Sequence, residues 1–141
     1  MAEGQRDFKH IVRVANTDLD GSKKISHALL KIKGVGFVMS NALCMFAKVN
    51  GGKKAGVLSS DEVQRLEKVL KHPIASGIPI WMLNRRKDYE TGEDIHLLGA
   101  DLKYQKDNDI KILRKIKSYK GMRHSWGLPV RGQSTKSNFR K

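Results

Sequence analysis

Residues 25–49 read ISHALLKIKGVGFVMSNALCMFAKV, and they contain the strongest structural signals in this 141-residue chain. Apolar side chains recur at helical spacing at Ile25, Ala28, Leu29 and Ile32, which predicts a first helix with one buried face. Nine of the eleven residues at 37–47 are apolar, which predicts a second helix buried on nearly all sides. A turn that contains two glycines separates the two helices.

A third helix is predicted after residue 58, because Ser59 and Glu62 have the spacing of a capping box and apolar residues follow at helical intervals. Residues 8–16 show a weak apolar alternation, which predicts an extended segment that ends at a turn over 18–21. A short amphipathic piece is expected at 80–83. These elements together predict a small helical body.

The end of the chain differs in composition from the body. Residues 1–100 contain 16 basic and 11 acidic side chains, whereas 101–141 contain 12 basic and 3 acidic ones. A long basic helix is predicted to begin near Asp107 or Asn108. Beyond residue 121, apolar residues are few and Gly, Ser, Thr and Asn are frequent, which predicts an extended tail.

The fold class predicted from these patterns is mainly α. We expect a helical body over residues 1–106, followed over 107–141 by the basic helix and an extended C-terminal tail.

The composition excludes several classes of protein. The chain has 28 Lys and Arg against 14 Asp and Glu, a net charge of +14, and 39% of its residues are hydrophobic. That share is too high for a wholly disordered chain, and the longest apolar run is well short of the roughly 20 residues that cross a bilayer. A single cysteine cannot form an internal disulfide, so we expect a cytosolic protein. The excess positive charge indicates a polyanionic partner, nucleic acid first and anionic lipid second.

The turn between the first two helices is the first candidate binding site. Glycine lets the backbone approach a ligand closely, and the amides that begin the next helix attract phosphate. Lys31 and Lys33 would strengthen that attraction, so Lys31, Lys33, Gly34, Val35 and Gly36 are candidate phosphate contacts. The same residues also fit an ordinary glycine cap between two core helices, and the sequence leaves both interpretations open.

Three further groups of residues are candidates. A basic triplet follows the short amphipathic piece, where a solvated charge run is the alternative. The basic helix presents cations opposite its apolar face. The tail mixes cations, rings and polar groups suited to phosphates, base stacking and the RNA sugar hydroxyl, although a solvated disordered tail also fits. The candidates are Arg85, Arg86 and Lys87 in the triplet, Lys111, Arg114, Lys115, Lys117 and Lys120 in the helix, and Arg123, His124, Trp126, Arg131, Gln133, Thr135, Lys136, Asn138, Arg140 and Lys141 in the tail.

The sequence shows no constellation for catalysis or for metal binding. Residues 16–21 match the start of a calcium loop, but His27 stands where the final glutamate is needed, which favours a plain turn. The five histidines and Cys44 lack the paired spacing of zinc sites, and Cys44 lies in the most apolar helix, where a thiol is usually inert. We therefore expect no catalytic residue, no metal, no cofactor and no enzymatic activity.

Several segments together resemble the universal small-subunit ribosomal protein thirteen family, in its archaeal and eukaryotic branch. In the tail they are GMRH at 121–124, GLPVRGQ at 127–133 and TKSN at 135–138, and in the body they include IKGVG at 32–36 and IPIWMLNRRKD at 78–88. They fall in the family's order and cover nearly the whole chain. One difference is at residues 37–39, where FVM replaces the basic residues that many relatives have after G-V-G.

The resemblance implies a structural protein of the small-subunit head on the ribosome. Its body is expected to contain a helix–two-turns–helix arrangement. The implied partners are small-subunit rRNA, a neighbouring head protein, a protein of the large subunit's central protuberance, and tRNA near the decoding region. No membrane partner is expected.

From the residues alone, two other functional classes stay open. A nucleic-acid enzyme such as a DNA repair glycosylase needs a nucleophile and an acid or base, and the sequence displays no such group. A membrane-surface protein needs a strongly amphipathic helix with bulky apolar anchors, which the basic tail lacks.

Overall fold

The computed structural model describes residues 8–137. The elements are β1 (Ile11–Val14), β2 (Thr17–Asp20), α1 (Ile25–Ala28), α2 (Phe37–Phe46), α3 (Ser60–Lys71), α4 (Gly99–Lys115) and α5 (Tyr119–Trp126), with short 3-10 turns at Leu29–Lys31, Ala55–Val57 and Ile80–Met82. The predicted mainly helical fold is confirmed. The chain divides into two compact units, residues 1–99 and residues 100–141. The predicted division into a helical body at 1–106 and a basic helix with an extended tail at 107–141 stays a prediction.

The extended segment at the start of the body is the first strand of an antiparallel hairpin. Val12 pairs with Leu19 across β1 and β2, and both side chains are buried. The tight turn lies at residues 15–16, which adopt φ angles of +46° and +58°. The turn predicted over 18–21 is therefore wrong for its first three residues, which belong to β2. Strand alternation directs Leu19 into the core and the two neighbouring aspartates to solvent.

The first helix has the buried face that its spacing predicts. All four apolar residues of the pattern are buried, namely Ile25, Ala28, Leu29 and Ile32. The helix continues as a 3-10 turn and ends before the glycine-containing loop.

The second helix is buried on one side only. Met39 and Leu43 of α2 lie in the core, whereas Phe37, Val38 and Met45 are 65%, 66% and 74% exposed. The prediction of a helix buried on nearly all sides is wrong, because an apolar composition does not say which helix faces have neighbours in the fold. α2 therefore presents an apolar flank to solvent.

The capping box of the third helix is confirmed. The Glu62 N–H donates to Ser59 Oγ at 3.3 Å, and a Glu62 carboxylate oxygen accepts from the Ser59 N–H at 2.8 Å. Lys53 Nζ forms an ion pair with the same carboxylate at 2.7 Å. Burial raises the pKa of Glu62, but the hydrogen bonds from Lys53 and Ser59 outweigh this effect, so the pKa lies below its ordinary value.

One apolar core joins the hairpin, α1, α2 and α3. The chain turns at residues 47–48 and again at 51–52 between α2 and α3, which is the helix, two turns, helix arrangement that the resemblance implies. After α3, Ile78 enters the same core, and Leu83 is buried just beyond the 3-10 turn at Ile80–Met82. The chain between Ile78 and Leu83 is therefore anchored at both ends.

Two helices near the end of the chain differ from the predictions. α4 begins at Gly99, eight residues before the expected start at Asp107, because its first turns have good helix formers but no regular apolar stripe. α5 occupies the start of the predicted extended tail. Ser118 Oγ accepts from the Gly121 N–H at 3.2 Å at the beginning of α5, and Gly127 ends the helix with a φ of +66°. From 128 to 137 the chain forms neither helix nor strand.

Candidate nucleic-acid interface

The loop between α1 and α2 is held by a close backbone approach. Gly34 has a φ of +103°, and a Cβ atom at this position would lie 2.6 Å from the Leu97 carbonyl oxygen. The neighbouring Lys33 carbonyl accepts a hydrogen bond from the Gly99 N–H at 2.8 Å. Glycine alone combines this backbone conformation with this approach at no steric cost. The loop therefore has a fixed shape within the first unit.

The residues of the predicted phosphate loop differ in what they offer to a ligand. Val35 is buried, and its N–H donates to the carbonyl three residues earlier at 3.0 Å, so Val35 anchors the loop. Gly36 is exposed and precedes α2 without a side-chain cap. Because the first amides of a helix carry partial positive charge, the start of α2 is the part of the loop suited to an anion. The Lys33 side chain is exposed, whereas Lys31 Nζ donates to the Asp18 carbonyl at 2.6 Å.

The predicted basic triplet divides into two parts. Arg85 is half-buried, its Nε donates to the Asp88 carboxylate, and its guanidinium carbon lies 5.9 Å from the centre of the Tyr89 ring. The hydrogen bond from Arg85 is the main reason why the pKa of Asp88 lies below its ordinary value. Arg86 and Lys87 have exposed side chains. The Arg85 side chain is therefore engaged within the chain. Arg86 and Lys87 are the better candidates for contacts with phosphate.

Asn84 is a positioning residue that sequence reasoning missed. Its Nδ2 donates to the Leu97 carbonyl at 2.7 Å, and its Oδ1 accepts from the Leu97 N–H at 2.9 Å. The Asn84 N–H also donates to His96 Nδ1 at 3.3 Å, and burial lowers the pKa of His96. Asn84 thereby fixes the segment against which Gly34 packs. No local pattern signals a pair of hydrogen bonds between residues 13 positions apart.

The exposed cations of α4 extend further along the helix than the sequence predicted. The predicted cations Lys111, Arg114 and Lys115 are exposed. Lys103 is also exposed, and at about 100° per residue it lies roughly 20° from Arg114 around the helix. Lys103 was missed because the first turns of α4 were not recognised as helical. No side chain of α4 is buried over its full described length, Gly99–Lys115.

Part of the predicted tail is used to stabilise the second unit itself. Arg123 Nε donates to the Pro129 carbonyl at 2.9 Å, and the Arg123 guanidinium carbon lies 5.9 Å from the centre of the Tyr119 ring. The His124 carbonyl accepts from Arg114 Nη2 at 3.2 Å. Arg123 and Arg114 therefore fix the chain around α5 besides contributing charge.

The other predicted tail and helix residues lie at the surface or outside the described range. Lys117, Lys120, Arg131, Gln133 and Lys136 are exposed, Trp126 is 51% exposed, and Thr135 and His124 are partly buried. Asn138, Arg140 and Lys141 lie outside the described residues.

Within the described range the structure has neither a metal-binding cluster nor a membrane-spanning helix. Among residues 8–137, no group of three or more His, Cys, Asp and Glu side chains is placed to hold a metal ion. In the same range, no helix has both the length and the apolar character needed to cross a membrane. Cys44 is buried, and burial raises the pKa of its thiol.

Comparison with known proteins identifies the family. The chain matches the ribosomal protein S13/S18 family over residues 13–141. It is 51% identical over 137 residues to the small ribosomal subunit protein uS13 of Methanothermobacter thermautotrophicus. The aligned region covers 97% of this chain and 92% of that protein. It is 51% identical over 135 residues to uS13 of Methanocaldococcus jannaschii, covering 96% and 90% of the two chains. For uS13 of Hyperthermus butylicus the identity is 44% over 136 residues, again with 96% and 90% covered. These matches confirm the resemblance stated from the tail and the glycine loop, and the chain belongs to the ribosomal protein S13/S18 family.

Proposed function

We propose that this chain is a structural protein of the small ribosomal subunit that binds rRNA of the subunit head. Membership of the ribosomal protein S13/S18 family supports a structural, non-enzymatic role on the ribosome. The single observation that carries the RNA-binding role is the charge of the second unit. From residue 110 to residue 141 there are ten Lys and Arg and no Asp or Glu.

Binding is proposed to rest on phosphate contacts from two places in the chain. In the first unit these are the start of α2 with Lys33, and the exposed pair Arg86 and Lys87. In the second unit they are the exposed cations of α4 and of the segment after α5. Each phosphate neutralised releases counterions, so log affinity is expected to fall by roughly 0.7 to 0.9 per phosphate for each tenfold rise in salt.

The further partners come from the family resemblance. We propose that the segment after α5 extends toward tRNA in the decoding region. The body is proposed to contact a neighbouring head protein and a protein of the large subunit's central protuberance. Each of these roles is positional and requires no bond-making chemistry from the chain.

Sedimentation with small subunits tests the RNA-binding role. The tagged protein is expected to migrate with small subunits in a sucrose gradient and to remain there at moderate salt. Lys111→Gln with Lys115→Gln should lower the affinity for head rRNA and reduce the salt slope by up to roughly two phosphates. The matched control is Lys68→Gln with Lys71→Gln on α3, which removes the same charge from exposed positions of the first unit. A protein that sediments free of particles, or two double variants with equal losses, would contradict the proposal.

Truncation tests the role of the tail. Cutting after Val130 retains α5 and the Pro129 carbonyl that Arg123 binds, so the helices keep their contacts. The shortened protein is expected to enter small subunits but to support tRNA binding less well. Unchanged tRNA binding would remove the tail from the proposal and leave the rRNA contacts in place.

A further inference from the structure

A cavity of about 400 Å3 lies where the start of α2 meets the 3-10 turn at Ile80–Met82. Phe37 and Trp81 both line it, and their side chains are 65% and 67% exposed. Large aromatic side chains usually bury most of their surface in a folded domain. Two such rings that line one open cavity of ligand size therefore point to an unfilled binding surface.

The two rings are carried by anchored parts of the first unit. Phe37 is the first residue of α2, and its ring meets the His27 ring edge to face, with 6.0 Å between the ring centres. Trp81 lies in the 3-10 turn that Ile78 and Leu83 bracket, both of which are buried. The rings are thus presented on backbone that the core holds in place.

The charges around the cavity favour a nucleotide as its occupant. None of the described residues that line the cavity is acidic, and the first turn of α2 contains no acidic side chain. Gly36 lines the cavity and leaves open space where a Cβ atom would stand, so the cavity lies beside the start of α2. Lys33 is exposed beside the same loop. An aromatic surface next to an anion-attracting helix start matches the two halves of a nucleotide, its base and its phosphate.

We infer that Trp81 and Phe37 form a stacking site for an unpaired RNA base whose phosphate lies at the start of α2. This inference rests on the proposed function, and it adds base stacking to a loop so far assigned only phosphate contacts. Because every base has an aromatic face, the site is expected to be tolerant of sequence and selective for unpaired RNA.

Fluorescence of Trp81 provides the test. The chain has two tryptophans, so the full-length Trp126→Phe protein reports on Trp81 alone. The probes are an unpaired eight-nucleotide adenosine RNA and an abasic RNA of the same length and charge. The adenosine RNA is expected to quench the fluorescence of Trp81, and the abasic RNA is not.

Trp81→Leu in the otherwise unchanged chain should weaken binding of the adenosine RNA by about 5- to 150-fold, the range for the loss of one stacked base. It should leave binding of the abasic RNA and the salt slope unchanged.

One control variant and a second ring variant distinguish base stacking from general apolar contact and from loss of the fold. Met45→Ala removes an equally exposed apolar side chain from α2 outside the cavity and is expected to bind both RNAs as the wild type does. Phe37→Leu removes the other ring and should give a smaller loss of the same kind, which keeps the test open if the Trp81 variant fails to fold by circular dichroism. Equal quenching by both RNAs, or unchanged affinity of both ring variants, would overturn the inference.

The inference and the proposed function fail in different ways. If the wild-type protein does not enter small subunits, the proposed function fails whatever Trp81 does. If the wild type enters small subunits and binds RNA, but Trp81→Leu binds the adenosine RNA normally and is excluded from the particle, then the cavity receives a protein and the stacking inference is wrong.

Discussion

Alanine in place of Gly34 introduces a methyl group where the backbone of another segment already lies. The Cβ atom would be 2.6 Å from the Leu97 carbonyl oxygen, on a residue whose φ is +103°. A non-glycine residue held in such a conformation costs about 1–3 kcal/mol, and forcing an extra carbon into a packed region costs about 1–3 kcal/mol more. We expect Gly34→Ala to lower the free energy of unfolding by roughly 2–6 kcal/mol, a large part of the 5–15 kcal/mol typical of a domain.

The matched control is the second glycine of the same loop. Gly36 has an extended backbone and open space around its Cα, so Gly36→Ala should change stability by less than about 1 kcal/mol. Urea unfolding followed by circular dichroism measures both variants. At a slope of about 2 kcal/mol per molar urea, the Gly34 variant should lose about 1–3 M in its midpoint. A Gly34→Ala midpoint within experimental error of the wild type, or an equal loss in both variants, would refute the argument that close backbone approach fixes this loop.

Three further changes test contacts elsewhere in the chain. Glu62→Gln should destabilise the protein by about 1 kcal/mol at pH 7. Because the folded pKa of Glu62 is lowered, its contribution is present above the unfolded pKa of about 4.3 and is lost as the pH falls through the folded pKa. The urea midpoints of variant and wild type should therefore differ at neutral pH and converge once the pH lies below the folded pKa. Gly121→Ala places a methyl group against the Leu113 carbonyl and should lower protection of α5 amides in hydrogen exchange by about 1–3 kcal/mol. Asn84→Ala removes both hydrogen bonds to Leu97 and should cost about 1–3 kcal/mol in thermal unfolding; a loss near zero would mean that this pair does not fix the segment.

The elements that the sequence predicts well are those with local signals. α1 has four apolar residues at helical spacing, and α3 begins with a capping box that forms as predicted. A capping box involves residues only three positions apart, so nothing outside the segment has to be known. The start and end of α5 have similar local signals, with a capping Ser118 and a left-handed Gly127. The basic, polar composition of the same segment favours an extended tail instead, and the caps decide the outcome.

The errors occur where tertiary contacts decide the outcome. The apolar window of α2 has no marker that separates Met39, which is buried, from Met45, which is 74% exposed. The sequence predicts that Arg85 and Arg123 are cations available to phosphate. In the structure, however, Arg85 pairs with a carboxylate and Arg123 donates a hydrogen bond to a main-chain carbonyl. Sequence composition supplies the number of positive charges. Only the fold tells which of them are already engaged within the chain.

Few residues of the second unit are fully buried, and this limits the folding free energy of its helices. Of the described residues 100–137, only Gly121 is buried, and Tyr104, Ile116 and Tyr119 are 68%, 68% and 69% exposed. Since buried apolar surface is the main source of folding free energy, α4 and α5 depend on helix propensity, caps and a few hydrogen bonds, which leave isolated helices only marginally stable. A polyanion that binds the helical form stabilises it by mass action. Neutralising lysines of α4 therefore weakens phosphate binding and removes the ligand that stabilises the helix, so the two losses are coupled in any measurement on the complex.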